Sequence, residues 1–343
     1  MLEQTIESVR EELLQTEGVI AQAAATGIAA ADALSHALTA GGGKRIRPAM
    51  FLLSAKMSEY AGKGGDELAR IAAAIEMIHA ASLMHDDVVD GSALRRGKES
   101  ANSTFGDKLS ILAGDFFWTA ASRLILDVGK PTLLEAVIDS VKQMTLGQML
   151  ELSHNRNTCA DEATCLKIIE GKTATLFRLA AQAGAIASNA PQACDDALAQ
   201  YGLFSGMAFQ LLDDVMDYVA SGEILGKAPG SDLSAGTPTI PFVHALGKAS
   251  AEDRALLAAS LHGKDGMGLS RALPLIKEYG GIAYTLELSA DYAQRAKDAL
   301  SPFADSPSKS ALLAIADFIS TPIESPFDIE GTSTRTSSAY DRP

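Results

Sequence analysis

Apolar residues recur at three- and four-residue steps along most of the 343-residue chain, the spacing that lines one face of an α-helix. The clearest stretches run over 2–16, 66–90, 109–126, 131–152, 162–188, 193–219 and 238–247. Later ones lie near 252–260, 269–279, 281–300 and 308–319. Alternating Val/Ile/Thr segments of strand type are not evident, so the pattern predicts an all-α fold. The breaks carry glycine or proline: Gly41-Gly42-Gly43, Gly62 to Gly65, Gly91, Gly129-Lys130-Pro131, Pro191, and Gly226 through Pro238. No interdomain linker and no solenoid-length repeat divides 1–320, which reads as one domain. The segment 321–343 is rich in Ser, Thr and Pro, has no periodicity, and reads as a disordered tail.

Apolar residues make up 47% and charged residues 21% of the chain, which excludes disorder for most of it. The net charge of −14 argues against a nucleic-acid or anionic-membrane footprint. Any anionic ligand therefore needs a local basic pocket or metal ions. Cys159, Cys165 and Cys194 are too few and too scattered for a disulfide framework or a CxxC zinc site, and suit a reducing compartment. The start, MLEQTIESVREELL, lacks the basic opening and apolar run of a signal peptide, so a cytoplasmic location is expected. No uncharged apolar stretch reaches about 18 residues, so no transmembrane helix is expected.

Residues 86–90 read Asp-Asp-Val-Val-Asp and residues 213–217 read Asp-Asp-Val-Met-Asp, each after a mostly apolar helical run. On a helix Asp86 and Asp90 lie one turn apart on one face, as do Asp213 and Asp217. Such like-charge pairs repel and weaken the helix, so a cation is expected to offset them. All the donors are carboxylate oxygens, which favours magnesium or manganese over zinc. A solvated helix end explains one such motif more easily than two copies in similar context.

Basic residues complete the pattern. Gly41-Gly42-Gly43-Lys44-Arg45-Ile46-Arg47-Pro48 is a glycine-rich turn with three cations, and Pro48 suits the first turn of a following helix. It is not a Walker A loop. Arg95 and Arg96 follow the first acidic cluster beyond the stop at Gly91; Lys172, Thr173 and Lys227 are further candidates. Arginine contacts phosphate oxygens bidentately and lysine acts as a point charge. Singly, each reads as a solvated surface charge. Together with the acids they point to two polyphosphate-like ligands, one held through metal and one by bare cations. His79, seven residues before Asp86, shares its helical face; a satisfied core histidine is the alternative. His85 is expected to be structural. Gln210, three residues before Asp213, could orient a ligand or cap the polar edge. Phe116, Phe117 and Trp118 read as core, although some could line a cavity.

On these residues the chain resembles the trans-polyprenyl diphosphate synthases, or polyprenyl synthetases. The matching segments are GGGKRIRP (41–48), EMIHAASLMHDDVVDGSALRRGKES (76–100), LAGDFF (112–117), GQMLEL (147–152), KTATLF (172–177), FQLLDDVMDY (209–218) and, in part, LGKAPGSDLSAGTPTIP (225–241). They run in family order over about 25–320. The resemblance implies an all-α isoprenoid-synthase bundle of roughly a dozen helices around a deep cavity, usually a homodimer. It implies condensation of an allylic diphosphate, farnesyl or geranylgeranyl diphosphate, with isopentenyl diphosphate, and about three magnesium ions shared with substrate phosphates. Carried over, Asp86, Asp90 and Asp213 are metal ligands, supported by Asp87, Asp214 and Asp217. Arg95, Lys172 and Lys227 contact the allylic diphosphate. Lys44, Arg47, His79 and Arg96 form the isopentenyl diphosphate site. Thr173 and Gln210 point polar atoms at the developing allylic cation. No nucleic acid is expected as a partner; transient membrane contact for product release is allowed.

Two departures stand out. Members commonly carry GKxTLP where this chain has Gly236-Thr237-Pro238-Thr239-Ile240-Pro241, so Thr237 replaces a diphosphate-contacting lysine. The Arg-rich C-terminal ending of many members is also missing. In members making C15 or C20 products a bulky aromatic sits four or five residues before the first Asp; here those positions are Ser82 and Ala81, and Ile75 is next on that face. One helical turn rises about 5.4 Å, close to one isoprene unit, which leads to a long product of about C30–C50. Close helix packing is the alternative reading of Ala81 and Ser82, with Phe117 or Trp118 as the floor. A short-chain synthase, a terpene cyclase and a non-catalytic partner subunit are the competing functions.

Overall fold

The computed structural model describes residues 5–39, 44–62, 65–91, 94–95, 98–219, 229–262 and 266–321. After a 3-10 turn at Glu7–Val9 come α1 (Arg10–Ala23), α2 (Ala29–Thr39), α3 (Ile46–Met57) and α4 (Gly65–Val89). A two-residue hairpin follows, β1 (Leu94–Arg95) antiparallel to β2 (Lys98–Glu99). The helices α5 (Ala101–Phe105), α6 (Asp107–Val128), α7 (Pro131–His154) and α8 (Glu162–Ile169) lead to a π turn at Glu170–Ala174. Then come α9 (Thr175–Ser188), α10 (Gln192–Val219), α11 (Ser231–Ala235), α12 (Ile240–Lys248), α13 (Ala251–Ser260), α14 (Gly266–Glu278), α15 (Gly281–Ala299) and α16 (Pro307–Ser320).

The all-α expectation holds apart from the small hairpin. Several boundaries differ. The first long helix is displaced toward the C-terminus and ends at Ala23, and α2, α3, α5 and α11 lie outside the stretches read as helices from sequence, although Pro48 marked the start of α3. The stretch 162–188 is interrupted by the π turn. The tail from 322 onward lies outside the described residues.

Local chemistry explains the punctuation. Gly129 ends α6 in the left-handed region, and Pro131 opens α7 at a position that needs no N–H donor. Asp161 caps α8 by accepting from the Thr164 N–H at 2.7 Å, and Ser306 caps α16 by accepting from the Lys309 N–H at 3.1 Å.

Within α4, Ile71 to Ile75 are all buried, so this stretch of the helix is enclosed on every side. It packs chiefly on α6, and also on α1, α3 and α9. The main core joins these helices through Phe51, Phe117, Phe177 and Tyr201; the Tyr201 hydroxyl donates to the Leu312 carbonyl on α16. A second cluster, built on Leu233, Phe242, Leu257 and Ile276, packs the C-terminal helices.

Among the described residues one helix, α6, is long and apolar enough to cross a membrane by length and composition. It is not an uncharged run, since Asp115 and Arg123 interrupt it, but the mean hydropathy of the segment stays high. A third of its apolar window is buried against the rest of the molecule.

Candidate active site

The first acidic cluster forms the last turn of α4. The Asp90 N–H donates to the Asp86 carbonyl at 2.8 Å, so the helical geometry that puts these two side chains on one face continues through the motif. Asp87 is buried, Asp86 half-buried and Asp90 exposed. His85 Nε2 lies 3.2 Å from the Ile111 carbonyl and 3.4 Å from Asp115. It bridges α4 and α6 at a partly exposed position.

Facing this cluster is the π turn. The Thr175 N–H reaches back five residues to the Glu170 carbonyl, one residue more than an α-helix allows. Its position is set by two glycines. A Cβ on Gly147 would lie 2.5 Å from the Lys172 nitrogen, and one on Gly171 would lie 2.9 Å from the Gly147 Cα. Only bare backbones let α7 and the turn approach this closely.

The neighbouring side chains then diverge. Lys172 Nζ donates to Glu151 Oε2 on α7 at 2.5 Å, and Gln148 Nε2 donates to the same oxygen at 3.0 Å. Burial opposes the charge on Lys172, but Glu151, Asp86 and Asp90 outweigh it and hold its pKa above the ordinary lysine value. Thr173 Oγ1 donates to Gln210 Oε1 on α10 at 2.8 Å. One turn of chain therefore sends a cation toward α4 and α7 and a hydroxyl toward α10.

The second acidic cluster is split by burial. Asp213 is exposed, whereas Asp214 and Asp217 are buried. Gln210 Nε2 donates to Asp214 Oδ1 at 2.9 Å. Burial pushes the Asp214 carboxyl well above its usual range, and the Gln210 hydrogen bond pulls against that shift. Asp217 accepts from Ser231 Oγ at 2.5 Å and from the Asp232 N–H at 3.0 Å. Its own carbonyl accepts the Gly230 N–H at 2.6 Å. The helical spacing places Asp217 beside Asp213, but the structure commits its carboxylate to the start of α11.

On the basic side, the Arg47 guanidinium lies over the Phe177 ring at 4.4 Å, and Phe177 packs on Phe209 at 5.4 Å. Phe209 adjoins Gln210, so an aromatic step connects Arg47 to α10. Lys44 Nζ sits 4.6 Å from the Phe318 ring on α16. Arg45 instead pairs with Glu76 at 2.6 Å and Glu17 at 2.9 Å, which ties the turn to α4 and α1. His79 is half-buried on α4, and its carbonyl accepts from Ser82 Oγ at 2.8 Å. Arg95 lies in β1, with its side chain outside the described residues; Arg96 and Lys227 lie wholly outside them.

Among the described residues no three carboxylate, imidazole or thiol groups converge closely enough to hold an ion unaided. The oxygen-only donors of Asp86, Asp90 and Asp213, on two separate helices, fit a hard cation whose coordination is completed by water and phosphate. A groove of about 1020 Å³ between α7, the π turn and α9, lined by Asp139, Lys167, Glu170, Arg178 and Asp195, contains none of the acidic-cluster residues.

A family model for polyprenyl synthetase matches residues 29–271. The chain belongs to the polyprenyl synthetase family. It is 36% identical over 284 residues to the octaprenyl diphosphate synthase of Haemophilus influenzae, covering 82% of this chain and 85% of that one. It is also 36% identical over 291 residues to a short chain isoprenyl diphosphate synthase of Methanothermobacter thermautotrophicus, covering 84% and 88%. Among solved structures, polyprenyl synthase from Caulobacter crescentus, complexed with calcium and isoprenyl diphosphate, superposes with a TM-score of 0.89. That match has 34% identity and covers 93% of this chain and 97% of that one.

Within this polyprenyl synthetase, Glu151 is the Lys172 partner that sequence reasoning missed. It stands in the matched GQMLEL segment, but its pairing with Lys172 spans 21 positions, which no local periodicity reports. Of the candidate chain-length residues, Ala81 and Ile75 are buried in the main core and Ser82 is half-buried. Phe117 is fully buried and stacks edge-on with Phe116, whose centroid is 6.4 Å away. Thr237 donates its N–H to the Asp232 carbonyl at 2.8 Å, closing α11.

Proposed function

We propose that this protein is a trans-prenyltransferase that condenses farnesyl or geranylgeranyl diphosphate with isopentenyl diphosphate repeatedly, making an all-trans polyprenyl diphosphate of about C30–C50. The carrying observation is the π turn, where Lys172 faces Asp86 and Asp90 while Thr173 and Gln210 join the second acidic cluster.

Asp86, Asp90 and Asp213 would hold magnesium, which supplies positive charge to the leaving diphosphate when bound. Lys172 keeps Glu151 on one of its three donors and offers the others to diphosphate oxygens, with Arg95 and Lys227 as further contacts. The allylic C–O bond breaks with its electron pair on the diphosphate. Thr173 and Gln210 face the resulting cation with oxygen atoms. Lys44, Arg47, His79 and Arg96 hold isopentenyl diphosphate so that its alkene attacks the cation. The new carbon–carbon bond forms, and a proton passes to the departing diphosphate. Apolar walls exclude water from the cation. Each added unit buries further CH₂ groups at about 0.8 kcal/mol apiece.

The octaprenyl relative and the small residues Ala81 and Ser82 support the long product. A homodimer is supported by the apolar side chains that α6 and α7 leave exposed, among them Leu112, Leu126, Leu146 and Met149, which a second copy would cover. The test is incubation of the purified protein with farnesyl diphosphate, excess isopentenyl diphosphate and magnesium, followed by product sizing. Products of about C30–C50 are expected. A product ending at C15 or C20 refutes the long-chain assignment, and no diphosphate release refutes prenyl transfer.

A further inference from the structure

A short hydrogen-bond chain runs from the π turn into the buried face of α10. Thr173 Oγ1 donates to Gln210 Oε1 at 2.8 Å, and Gln210 Nε2 donates to Asp214 Oδ1 at 2.9 Å. Nε2 also lies 3.5 Å from Asp213 Oδ2, at the outer limit of a hydrogen bond. The two ends of a primary amide have nearly the same shape and opposite character. The oxygen only accepts and the nitrogen only donates. Its direction is therefore set by its neighbours, and Asp214 Oδ1 is the acceptor here, as an ionised carboxylate or through the bare oxygen of a protonated one. With a carboxylate at position 214, the Gln210 nitrogen turns to Asp214 and its oxygen turns to Thr173. The Thr173 proton is then committed to Gln210, and lone pairs are what its oxygen has left for other groups. In the reverse direction Gln210 would donate to Thr173, whose hydroxyl proton would be released to point elsewhere.

The difference in sign matters for the reaction proposed above, on which this inference rests. When the allylic C–O bond breaks, both electrons leave with the diphosphate and the hydrocarbon fragment becomes a cation. An oxygen lone pair aimed at that cation lowers its energy, and an O–H dipole aimed at it raises it. We infer that Asp214 is a positioning residue that fixes the direction of the Gln210 amide, so that Thr173 and Gln210 offer acceptors rather than donors to the allylic cation. This separates the work of two adjacent carboxylates. Asp213 is exposed, whereas Asp214 is only 5% exposed and directed at Gln210.

Charge-swapped variants test the direction. Gln210→Glu places an acceptor-only group against Asp214. With the carboxylate polarity, this variant melts about 4 °C or more below wild type. Adding Asp214→Asn then restores melting, because the amide introduced at position 214 can donate to the carboxylate introduced at position 210. Asp214→Asn alone leaves the Gln210 amide free to turn either way, so kcat should fall by about twofold or more, with magnesium half-saturation and both diphosphate KM values unchanged. The double variant keeps an acceptor facing Thr173, so its kcat should exceed that of Asp214→Asn by about twofold or more. Wild-type melting of Gln210→Glu would mean that position 214 donates, and would overturn the inference. So would recovery of Asp214→Asn by excess magnesium, which would make Asp214 a metal ligand, or a double variant no better than Asp214→Asn. If wild type itself shows no prenyl transfer, the proposed function fails, while the melting comparison still decides the direction of the amide.

Discussion

Replacing Glu151 by glutamine removes one charge from the Lys172 contact and keeps its shape. At 2.5 Å the pair has a Coulomb attraction of about 6–7 kcal/mol for an effective dielectric of about 20. Both side chains are mostly buried, at 26% and 17% exposed, so desolvation cancels much of that. A hydrogen bond to a charged group retains about 1.5–3 kcal/mol net. The introduced amide oxygen can still accept from Lys172, and Asp86 and Asp90 still act on the ammonium. The expected loss is therefore about 1–2 kcal/mol, seen as a melting temperature lower by a few degrees. The pKa of Lys172 is raised in the folded state, so its charge stabilises the fold fully below the ordinary value of 10.5. That contribution is lost as pH rises through the raised value. The gap between wild type and Glu151→Gln should stay constant from pH 7 to about 10 and close above it. In steady-state assays the allylic KM should rise while the isopentenyl diphosphate KM holds. Identical melting at pH 7, or a change confined to isopentenyl diphosphate, would refute the view that Glu151 positions Lys172 for the allylic substrate.

Three further outcomes are expected. Asp86→Ala and Asp213→Ala should each cut turnover by orders of magnitude and leave helical circular dichroism intact, as should removal of divalent cations by chelation; near-normal turnover in either variant would sink the metal assignment. Ser82→Phe should shorten the product when the same substrates are supplied, and an unchanged length would place the tunnel wall on another face of α4. Asp217→Ala should destabilise the protein by about 1–3 kcal/mol in denaturant titrations, because the Ser231 hydroxyl and the Asp232 N–H lose their acceptor; full stability would mean that the start of α11 is held by other contacts.

The sequence by itself determined the fold class and the identity of the acidic motifs. Helical periodicity survives in any packing, because an amphipathic stretch must bury its apolar stripe whatever covers it. Stops such as Gly129-Lys130-Pro131 act within a few residues and are legible for the same reason. Spacing also put Asp213 and Asp217 on one face. It could not say what would cover that face, and only the tertiary structure decided it: residues 230–232 return to α10 and enclose Asp217, leaving Asp213 exposed. The same limit hid Glu151. Its partner comes from a turn whose approach depends on two glycines 24 residues apart meeting backbone to backbone. The π turn itself departs from the regular period on which the helical reading relied. A period identifies which side chains travel together along one helix. Which of them meet a cation, a substrate or a neighbouring backbone depends on contacts far apart in the chain, and those form only when the helices pack.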